Sequence, residues 1–343
     1  MGRNVARLNP ADLNKLRRAL LHWYDQNRRE LPWRRDADPY RVWVSEIMLQ
    51  QTRVAAVLDH YAQFMQRFPT VQALASARES SVLAAWSGLG YYHRARRMHK
   101  AAKVIARERK GNFPLTAEEW RKLPGIGRYT AAAIASIAFG EAVAVVDGNV
   151  ERVLARMVGG GQRREAVWQQ AEHLLDRERP GDFNQGLMEL GATVCTPRAP
   201  QCVACPLYSW CKSRGAEAVR PRASRKRKQL CYALARRGAA VLLVQRSANA
   251  SLMAGMWELP TILESRRNAS APLARIRHSI TDTDYEVWVI GLSPEKLPSF
   301  ETDARWFSRK QWERLALTGL TRKVLRRVPV ESRGKSAESN RRS

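Results

Sequence analysis

The sequence is poor in acidic residues and has no long apolar run. Asp and Glu total 32 against 59 Lys and Arg, which gives a formal net charge of +27. No run of about 18 apolar residues occurs, so no membrane-spanning helix is predicted, and Met1–Arg7 lacks the apolar segment of a signal peptide. We expect a cytoplasmic protein of bacterial type whose partner is a polyanion, most often nucleic acid. A genome that favours arginine codons is the alternative explanation of the charge.

Cysteine is also scarce, and its distribution is uneven. Only five cysteines occur, and four of them fall between Cys195 and Cys211. Disulfides within so short a stretch would close cramped loops, so a metal or cluster site is favoured. Four thiolates suit zinc or an iron–sulfur cluster. Zinc ribbons usually contain two Cys-x-x-Cys pairs, whereas this stretch has one, at Cys202 and Cys205, which favours a compact iron–sulfur cluster.

The length of 343 residues suggests about two domains. The first part has mostly helical periodicity, and the part after the cysteines has the alternation of strands, as in the predicted hairpin formed by Tyr232–Ala235 and Ala240–Val244. The predicted organisation is a helical domain over 1–211, a basic linker or phosphate-binding strap over 212–229, a smaller α+β domain over 230–330 and a disordered tail over 331–343.

Two glycines, Gly125 and Gly127, directly precede an alanine-rich segment, Ala131–Phe139, that Gly140 closes. Free backbone N–H groups in such a turn, reinforced by the helix N-terminus, can bind an anion. The motif is therefore typical of a helix-hairpin-helix element on a DNA phosphate. An ordinary turn between two helices is the alternative.

Two carboxylates could form a catalytic pair. Glu46 lies in the apolar segment Val42–Thr52, where desolvation would raise its pKa and make it an acid at neutral pH; from the pattern alone, a solvent-facing Glu is the favoured alternative. Asp147 precedes a predicted helix, so it should be an N-cap. A carboxylate held there would stay ionised and could stabilise a positive transition state, which is the pairing used in glycosyl-bond cleavage.

Several polar and aromatic residues fit an enzyme that flips a base out of a duplex. Such an enzyme fills the resulting gap with wedge and stacking side chains. Gln50, Gln51, Tyr91 and Tyr92 are candidates for this role. Core tyrosines and surface glutamines are the alternative.

Together these residues resemble the adenine DNA glycosylase family of the helix-hairpin-helix glycosylase superfamily. The resemblance covers roughly residues 10–215, and a weaker similarity at Gly255–Pro260 extends into the C-terminal part. The strings that carry it are Leu31–Arg34, Asp38–Thr52, Gly88–Tyr92, Leu123–Gly127, Val146–Val150, Phe183–Gly191 and the four clustered cysteines.

The resemblance implies a monomeric, nucleoid-associated enzyme that removes undamaged adenine mispaired with 8-oxoguanine or guanine in double-stranded DNA. Glu46 would protonate the adenine and help to activate water, and Asp147 would stabilise the oxocarbenium-like sugar. Tyr129 and Asn149 would orient these carboxylates. A 4Fe-4S cluster would shape a DNA-binding loop without acting as a redox catalyst, and its ligands would be Cys195, Cys202, Cys205 and Cys211.

The resemblance also supplies contacts to DNA and to the base. Gln51 and Tyr91 match positions that invade the duplex, and Glu189 matches a position that contacts adenine. The full set of expected contacts is Arg34, Leu49, Gln51, Thr52, Leu89, Tyr91, Gly125, Gly127 and Glu189. A related glycosylase/lyase type carries Lys where Tyr129 stands, and that Lys forms a Schiff base. Tyr129 therefore predicts a monofunctional glycosylase over a bifunctional pyrimidine glycosylase/lyase, and the retained carboxylates argue against a non-catalytic DNA-binding protein.

The C-terminal part resembles the Nudix-like oxoguanine-recognition domain of the family. It has no Arg-Glu-x-x-Glu-Glu run that would hold Mg²⁺ after Pro260, so it should bind and not hydrolyse. The family often has Phe-Ser-His where this chain has Ile280-Thr281-Asp282. Thr281 would replace the serine hydroxyl, and Asp282 adds a negative charge near DNA.

Overall fold

The computed structural model describes residues 8–160, 163–215, 225–250, 252–263, 271–280, 282–300 and 302–328. These residues divide into two compact units, one formed by Met1–Ser76 with Arg97–Pro221 and the other by Ala77–Arg96 with Arg222–Ser343. The predicted boundaries at 211 and 230 remain predictions. The predicted tail, 331–343, and residues 216–224 of the predicted linker lie outside the described residues. No described helix is long and apolar enough to span a membrane.

The described residues up to Gly215 are mostly helical, as the periodicity predicts. Short 3₁₀ turns at Pro32–Arg34, Cys202–Ala204 and Tyr208–Trp210 supplement the helices. The helices are α1 (Pro10–Asn27), α2 (Pro39–Leu49), α3 (Val54–Arg67), α4 (Val71–Ser76), α5 (Glu79–Ala85), α6 (His93–Arg107), α7 (Ala117–Arg121), α8 (Arg128–Phe139), α9 (Gly148–Val158), α10 (Arg164–Leu174) and α11 (Pro180–Thr193).

Helix α8 is the central element of the first unit. Residues 130–136 are all buried, and its small side chains let neighbouring helices approach closely. A Cβ added at Gly181 of α11 would lie 2.6 Å from the carbonyl oxygen of Ser136. The helix ends at Gly140, whose φ of +69° is the left-handed conformation that glycine adopts at a C-cap. The predicted buried helix closed by Gly140 is thus confirmed.

The segment from Val42 to Phe68, which contains no proline or glycine, is not one helix. Helix α2 ends at Leu49 and α3 begins at Val54. Between them Gln51 has a φ of +55°, and the Thr52 N–H donates to the Leu49 carbonyl at 3.2 Å. The break therefore comes from a turn around Gln51 that no proline or glycine marks in the sequence.

The second unit contains helix α5 and a seven-stranded mixed sheet in the order β3-β2-β1-β6-β5, with β4 on β1 and β7 on β2. The strands are β1 (Lys226–Arg237), β2 (Ala240–Gln245), β3 (Trp257–Glu258), β4 (Thr261–Ile262), β5 (Ala274–Ile280), β6 (Thr283–Leu292) and β7 (Ala304–Phe307). The predicted hairpin is present as the antiparallel pair β1–β2. Strand β1 also pairs with β6 in parallel.

Apolar residues form a core on each face of this sheet. Val287 and Val289 of β6 belong to the larger apolar core, together with helix α13 (Gly319–Arg327) and Trp312 of α12 (Arg309–Trp312). Trp288 lies in a separate core on the opposite face. This alternation is that of a regular strand, because successive side chains of a strand point to opposite faces.

Candidate active site

Glu46 lies on α2 in a run of buried residues, 42–48, and its exposed fraction is only 6%. The solvent-facing alternative is therefore wrong. Burial raises the pKa of Glu46 to about 7, a hydrogen bond from Tyr129 opposes this rise, and the nearby charge of Asp147 adds to it. An acid with this pKa holds its proton for about half of the time at neutral pH.

Asp147 is the N-cap of α9, as predicted. Its Oδ1 accepts from the N–H groups of Asn149 at 2.9 Å and Val150 at 2.7 Å, and its Oδ2 accepts from the Asn149 side-chain amide at 2.9 Å. Burial raises the pKa of Asp147, and these hydrogen bonds, with the charge of Arg152, oppose the rise. The carboxylate is therefore fixed in orientation by donors that favour its charged form.

Tyr129 and Asn149 each contact one of the two carboxylates. The Tyr129 hydroxyl donates to Oε2 of Glu46 at 2.6 Å, and the Asn149 amide donates to Asp147. Tyr129 is the second residue of α8, so the glycine turn before that helix sets its position. Asn149 is held by α11, because a Cβ on Gly191 would lie 2.6 Å from the Asn149 Cβ.

A cavity of about 510 Å³ in the first unit brings most of the predicted catalytic and substrate residues together. Its wall combines apolar side chains with a few converging polar groups, which is the usual form of a small-molecule site. Among the predicted residues it is lined by Arg34, Glu46, Leu49, Thr52, Tyr129, Asp147, Asn149 and Glu189.

Glu189 is paired with two arginines in this cavity. Its Oε1 accepts from Nε of Arg29 at 2.5 Å, and its Oε2 accepts from Arg29 Nη2 at 3.0 Å and Arg34 Nη2 at 2.9 Å. Burial acts to raise the pKa of Glu189, but the two guanidinium groups outweigh it, so the pKa is lowered. Arg29 has no signal in the sequence that predicts this role, since nothing in the periodicity distinguishes it from the adjacent Arg28.

Two of the four candidate wedge residues, Gln51 and Tyr91, share an unusual backbone conformation, although they lie in different units. Gln51 has a φ of +55° and Tyr91 a φ of +46°. Left-handed conformations of non-glycine residues cost energy and concentrate at functional sites. Gln51 is exposed and Tyr91 is half-buried, whereas Leu89 is buried. The other two candidates are anchored, since Gln50 donates to Thr130 Oγ1 at 3.0 Å and Tyr92 is buried.

The glycine turn before α8 has the form that an anion site requires. Gly125 has a φ of +81°, and an added Cβ would lie 2.4 Å from the Arg97 Cβ. Gly127 is the N-cap of α8, is exposed, and has no protein atom within 4 Å of an added Cβ. Since glycine has no side chain to cap the helix, the first N–H groups of α8 are available to a phosphate oxygen.

The four clustered cysteines lie on the loop after α11. Arg156 Nη1 donates to Cys195 Sγ at 3.3 Å, and Cys211 Sγ donates to the Arg156 carbonyl at 3.5 Å. Burial and the neighbouring cysteines raise the pKa of Cys202 and Cys205. In the described part of the chain, no group of three or more His, Cys, Asp or Glu side chains is arranged to hold a single metal ion.

The β5–β6 turn region carries acidic residues that are paired with basic ones. Asp282 lies 3.4 Å from Nζ of Lys226, and Asp284 lies 2.8 Å from Nε of Arg225. The negative charge that Asp282 adds is thus offset by a cation at the start of β1. Thr281, the predicted oxoguanine contact, lies outside the described residues.

Comparison with known proteins shows the family of this chain. The family model of the HhH-GPD superfamily base excision DNA repair proteins matches residues 44–177. Adenine DNA glycosylase of Rattus norvegicus is 37% identical, with 96% of this chain and 81% of the relative covered; that of Homo sapiens is also 37% identical, with 92% and 74% covered.

Among solved structures, a thermostable thymine-DNA glycosylase is similar, with a TM-score of 0.55, 31% identity, and coverage of 59% of this chain and 98% of that one. An endonuclease III structure in complex with DNA shares the helical fold, with a TM-score of 0.53 and 22% identity over 61% of this chain and 98% of that one. With two relatives that share more than a third of their residues with it over most of their length, this chain belongs to the adenine DNA glycosylase family of base excision repair enzymes.

Proposed function

We propose that this enzyme is a monofunctional glycosylase that hydrolyses the N-glycosidic bond of adenine opposite 8-oxoguanine or guanine. The observation that carries the proposal is the joint placement of Glu46 and Asp147 in one cavity, with Tyr129 bonded to the first carboxylate and Asn149 to the second. Two carboxylates in different environments are what acid-assisted cleavage of a glycosyl bond requires.

In this mechanism Glu46 donates its proton to a ring nitrogen of the extruded adenine. Protonation converts the base into a better leaving group, and the C1′–N9 bond breaks toward an oxocarbenium-like sugar. The pKa of about 7 supports this role because the proton is both present and transferable at neutral pH. The carboxylate that remains then accepts a proton from the attacking water.

Asp147 stabilises the positive sugar through its charge. Its N-cap hydrogen bonds keep the carboxylate ionised and fixed in direction while the transition state forms. Tyr129 holds Glu46 by the 2.6 Å hydrogen bond. Because a phenol cannot form a Schiff base, water attacks C1′ of the oxocarbenium-like sugar, which stays in the strand as an abasic site, and the strand is left uncut.

The DNA substrate is double-stranded. The enzyme acts as a monomer and is associated with the nucleoid. The net charge of +27 supports attraction to the duplex. Gly125 and Gly127 supply phosphate contacts at the start of α8, and Leu89 belongs to the DNA-contacting set. Gln51 and Tyr91 enter the duplex and fill the gap left by the adenine. Arg34, Leu49, Thr52 and Glu189 line the pocket that receives the base.

Glu189 acts on the adenine as part of a charged group with Arg29 and Arg34. Both of its carboxylate oxygens accept from guanidinium N–H groups. The pairing supports a role in which Glu189 orients the arginines toward the base as well as contacting it. It also keeps positive charge near Glu46, which limits the rise in the pKa of that residue.

A 4Fe-4S cluster fits the cysteine loop. The donor set is four thiols on one loop, and the Arg156 guanidinium lies against Cys195, where it would offset thiolate charge. A cluster of four irons separates its ligands more widely than a single ion does, so the absence of a single-ion arrangement among the described residues is compatible with it. The cluster would hold the loop in shape and take no part in glycosidic cleavage.

The C-terminal domain is a Nudix-like reader of the base opposite the adenine. Its mixed sheet, with β1 parallel to β6, and the helix α13 packed on that sheet support a binding scaffold. Thr281 would contact 8-oxoguanine with its hydroxyl.

The decisive experiment is single-turnover excision with Glu46→Gln and the unaltered enzyme. Four duplexes are compared, containing adenine opposite 8-oxoguanine, adenine opposite guanine, thymine glycol, and no lesion. We expect adenine release only from the first two, no covalent complex with borohydride, and a loss on the order of 10²–10⁴ in rate for the variant with DNA binding retained. Excision by the variant at the unaltered rate, or release of thymine glycol with strand cleavage, would contradict the proposal.

The cluster has its own test. Purified protein should be yellow-brown and contain about four irons per chain. One zinc and no iron would overturn this part of the proposal and leave the assignment of the two carboxylates unaffected.

A further inference from the structure

Residues 77–96 group with the C-terminal residues 222–343, although residues of the first unit flank them in sequence. They contain Tyr91, one of the two residues expected to enter the duplex, and Leu89, an expected contact to DNA. This part of the wedge therefore belongs structurally to the unit that contains the sheet.

One backbone carbonyl holds both ends of this loop. The carbonyl oxygen of Leu317 accepts from Ser87 Oγ at 3.0 Å and from the Tyr92 hydroxyl at 3.1 Å. Ser87, Tyr92 and Leu317 are all buried, with exposed fractions of 7%, 4% and 0%. Buried hydrogen bonds of this kind are costly to break, because water does not replace the lost partner.

The carbonyl itself is fixed to the sheet. Leu317 forms a parallel bridge with Trp257 of β3. The Trp257 N–H donates to the Ala316 carbonyl at 2.9 Å, and the Thr318 N–H donates to the Trp257 carbonyl at 3.0 Å. The Leu317 side chain is part of the core between the sheet and α13. The loop is thus attached to a backbone segment that is hydrogen-bonded to β3, and the Leu317 side chain is packed in the core of this unit.

Arg322 of α13 strengthens the attachment. Its Nε donates to Ser87 Oγ at 2.8 Å, and its Nη2 donates to the Leu315 carbonyl at 3.1 Å. The Ser87 hydroxyl can therefore donate to Leu317 and accept from Arg322 at once. One side chain of α13 joins the loop to the segment that precedes the helix.

At Tyr91 the loop adopts a conformation that an unattached segment would populate poorly. Gly88, Gly90 and Tyr91 have φ values of +115°, +68° and +46°. The Gly90 carbonyl accepts from Trp86 Nε1 at 3.1 Å and from Arg94 Nη2 at 3.2 Å. Left-handed backbone at a residue such as Tyr91 persists only where its surroundings hold it.

We propose that Ser87, Tyr92 and Arg322 are positioning residues for adenine extrusion, which hold the Leu89–Tyr91 loop on the C-terminal unit in the conformation that enters the duplex. The C-terminal unit then contributes to base extrusion as well as to reading the opposite base. The proposal rests on the proposed function, because it assigns a duplex-invading role to this loop.

The test uses Tyr92→Phe and Arg322→Ala in the full chain. Tyr92→Phe removes one oxygen atom and leaves the buried ring in place. Two matched variants serve as controls: Tyr40→Phe removes a buried hydroxyl that donates to the Phe68 carbonyl at 2.8 Å, and Arg326→Ala removes an exposed arginine from α13, the same helix. Thermal unfolding shows which variants are folded, and Tyr92→Phe decides the test if Arg322→Ala is not.

Two quantities are measured for each protein. The fluorescence of 2-aminopurine next to the mispaired adenine reports extrusion, and single-turnover kinetics report excision. Loss of one buried hydrogen bond should lower both by about fivefold. The loss should shrink on a duplex in which an abasic nucleotide flanks the adenine, because that adenine is already partly unstacked. The two control variants should match the unaltered enzyme.

Equal extrusion by Tyr92→Phe and the unaltered enzyme would overturn the proposal. So would an equal loss on the ordinary and the abasic-flanked duplex, since a general structural defect would not depend on stacking. If the unaltered enzyme released no adenine, the proposed function would fail, and the fluorescence measurement would still decide whether these residues position the loop.

Discussion

At the scale of single residues, opposing effects of its surroundings set the pKa of Glu46. Burial and the charge of Asp147 raise its pKa, and the hydrogen bond from Tyr129 lowers it, with a result of about 7. The protonated form is the catalytic acid, so excision should slow as the pH rises through this value. The two neighbours of Glu46 should therefore move this pH dependence in opposite directions.

Tyr129→Phe removes a donor that favours the carboxylate, so we expect the alkaline limb of the rate profile to move to higher pH. Asp147→Asn removes a negative charge and keeps an N-cap residue, so the limb should move to lower pH. The maximal rate should also fall on the order of 10²–10³ in Asp147→Asn. Single-turnover rates between pH 5 and 9 measure both shifts, with Tyr61→Phe as a control outside the cavity. Shifts in the same direction would contradict this account of the pKa.

The raised pKa of Glu46 also has a cost in stability. Between its ordinary pKa of 4.5 and its folded pKa of about 7, the folded state binds the proton more tightly than the unfolded chain does, so stability is lost as the pH rises through this range. Glu46→Gln carries no charge and should be more stable above pH 7 by up to about 3 kcal/mol.

The measurement is the free energy of unfolding by denaturant from pH 4.5 to 9. The advantage of Glu46→Gln should be small at pH 4.5, grow up to about pH 7 and then stay constant. Glu118→Gln, at a side chain that is 85% exposed, is the control. An advantage that is the same at every pH would show that the gain comes from packing and not from ionisation.

At the scale of elements, the glycine turn before α8 offers a pair of substitutions that separates folding from DNA binding. Gly125→Ala meets both a φ of +81° and the Arg97 Cβ at 2.4 Å, so it should destabilise the fold by about 1–3 kcal/mol. Gly127→Ala has no atom within 4 Å of the new Cβ, so stability should be nearly unchanged. The added methyl group would instead stand where a phosphate oxygen approaches the first N–H groups of α8.

We expect Gly127→Ala to bind duplex DNA about tenfold more weakly at an unchanged unfolding temperature. Fluorescence anisotropy with an undamaged duplex measures the binding. Gly319→Ala, at the start of α13, controls for the loss of a glycine, because this position also has free space for a Cβ and no left-handed φ. Unaltered binding by Gly127→Ala would contradict an anion site at this turn.

The elements that the sequence predicts well are those with a local signal. Alanine content and Gly140 define α8, Asp147 marks the start of α9, and period-two alternation gives the opposite faces of Val287 and Trp288. The break between α2 and α3 has no such signal, because Gln51 adopts a left-handed conformation without a glycine. The burial of Glu46 also cannot be predicted from a local pattern, since the elements that cover it are distant in sequence.

At the scale of the whole molecule, contacts between residues far apart in sequence are what the sequence does not reveal. The ion pairs of Glu189 with Arg29 and Arg34 join the first helices to α11. Residues 77–96 group with the C-terminal sheet, and Ser87 and Tyr92 donate hydrogen bonds to Leu317 in that unit. Neither the ion pairs nor this grouping can be predicted from residue spacing or composition.

The grouping of residues 77–96 with the C-terminal sheet changes the effect expected from removal of the C-terminal part. Truncation after Arg214 retains the cavity with both carboxylates and the four cysteines, but it removes Leu317 and Arg322. If the second domain only read the opposite base, truncation would lower the preference for 8-oxoguanine over guanine and leave extrusion intact. Because the wedge loop loses its attachment, we expect excision to fall on both mispairs as well.

A double-mutant cycle that combines Tyr92→Phe with the truncation distinguishes the loss of excision rate from the loss of preference for 8-oxoguanine. Tyr92→Phe should slow excision about fivefold in the full chain and have no further effect in the truncated one, because its acceptor, the Leu317 carbonyl, is absent there. Residues whose effects depend on each other in this way act through the same contact. Single-turnover rates on adenine opposite 8-oxoguanine and opposite guanine give both the overall loss and the preference. An equal effect of Tyr92→Phe in the two backgrounds would mean that Tyr92 acts on the loop without the C-terminal unit.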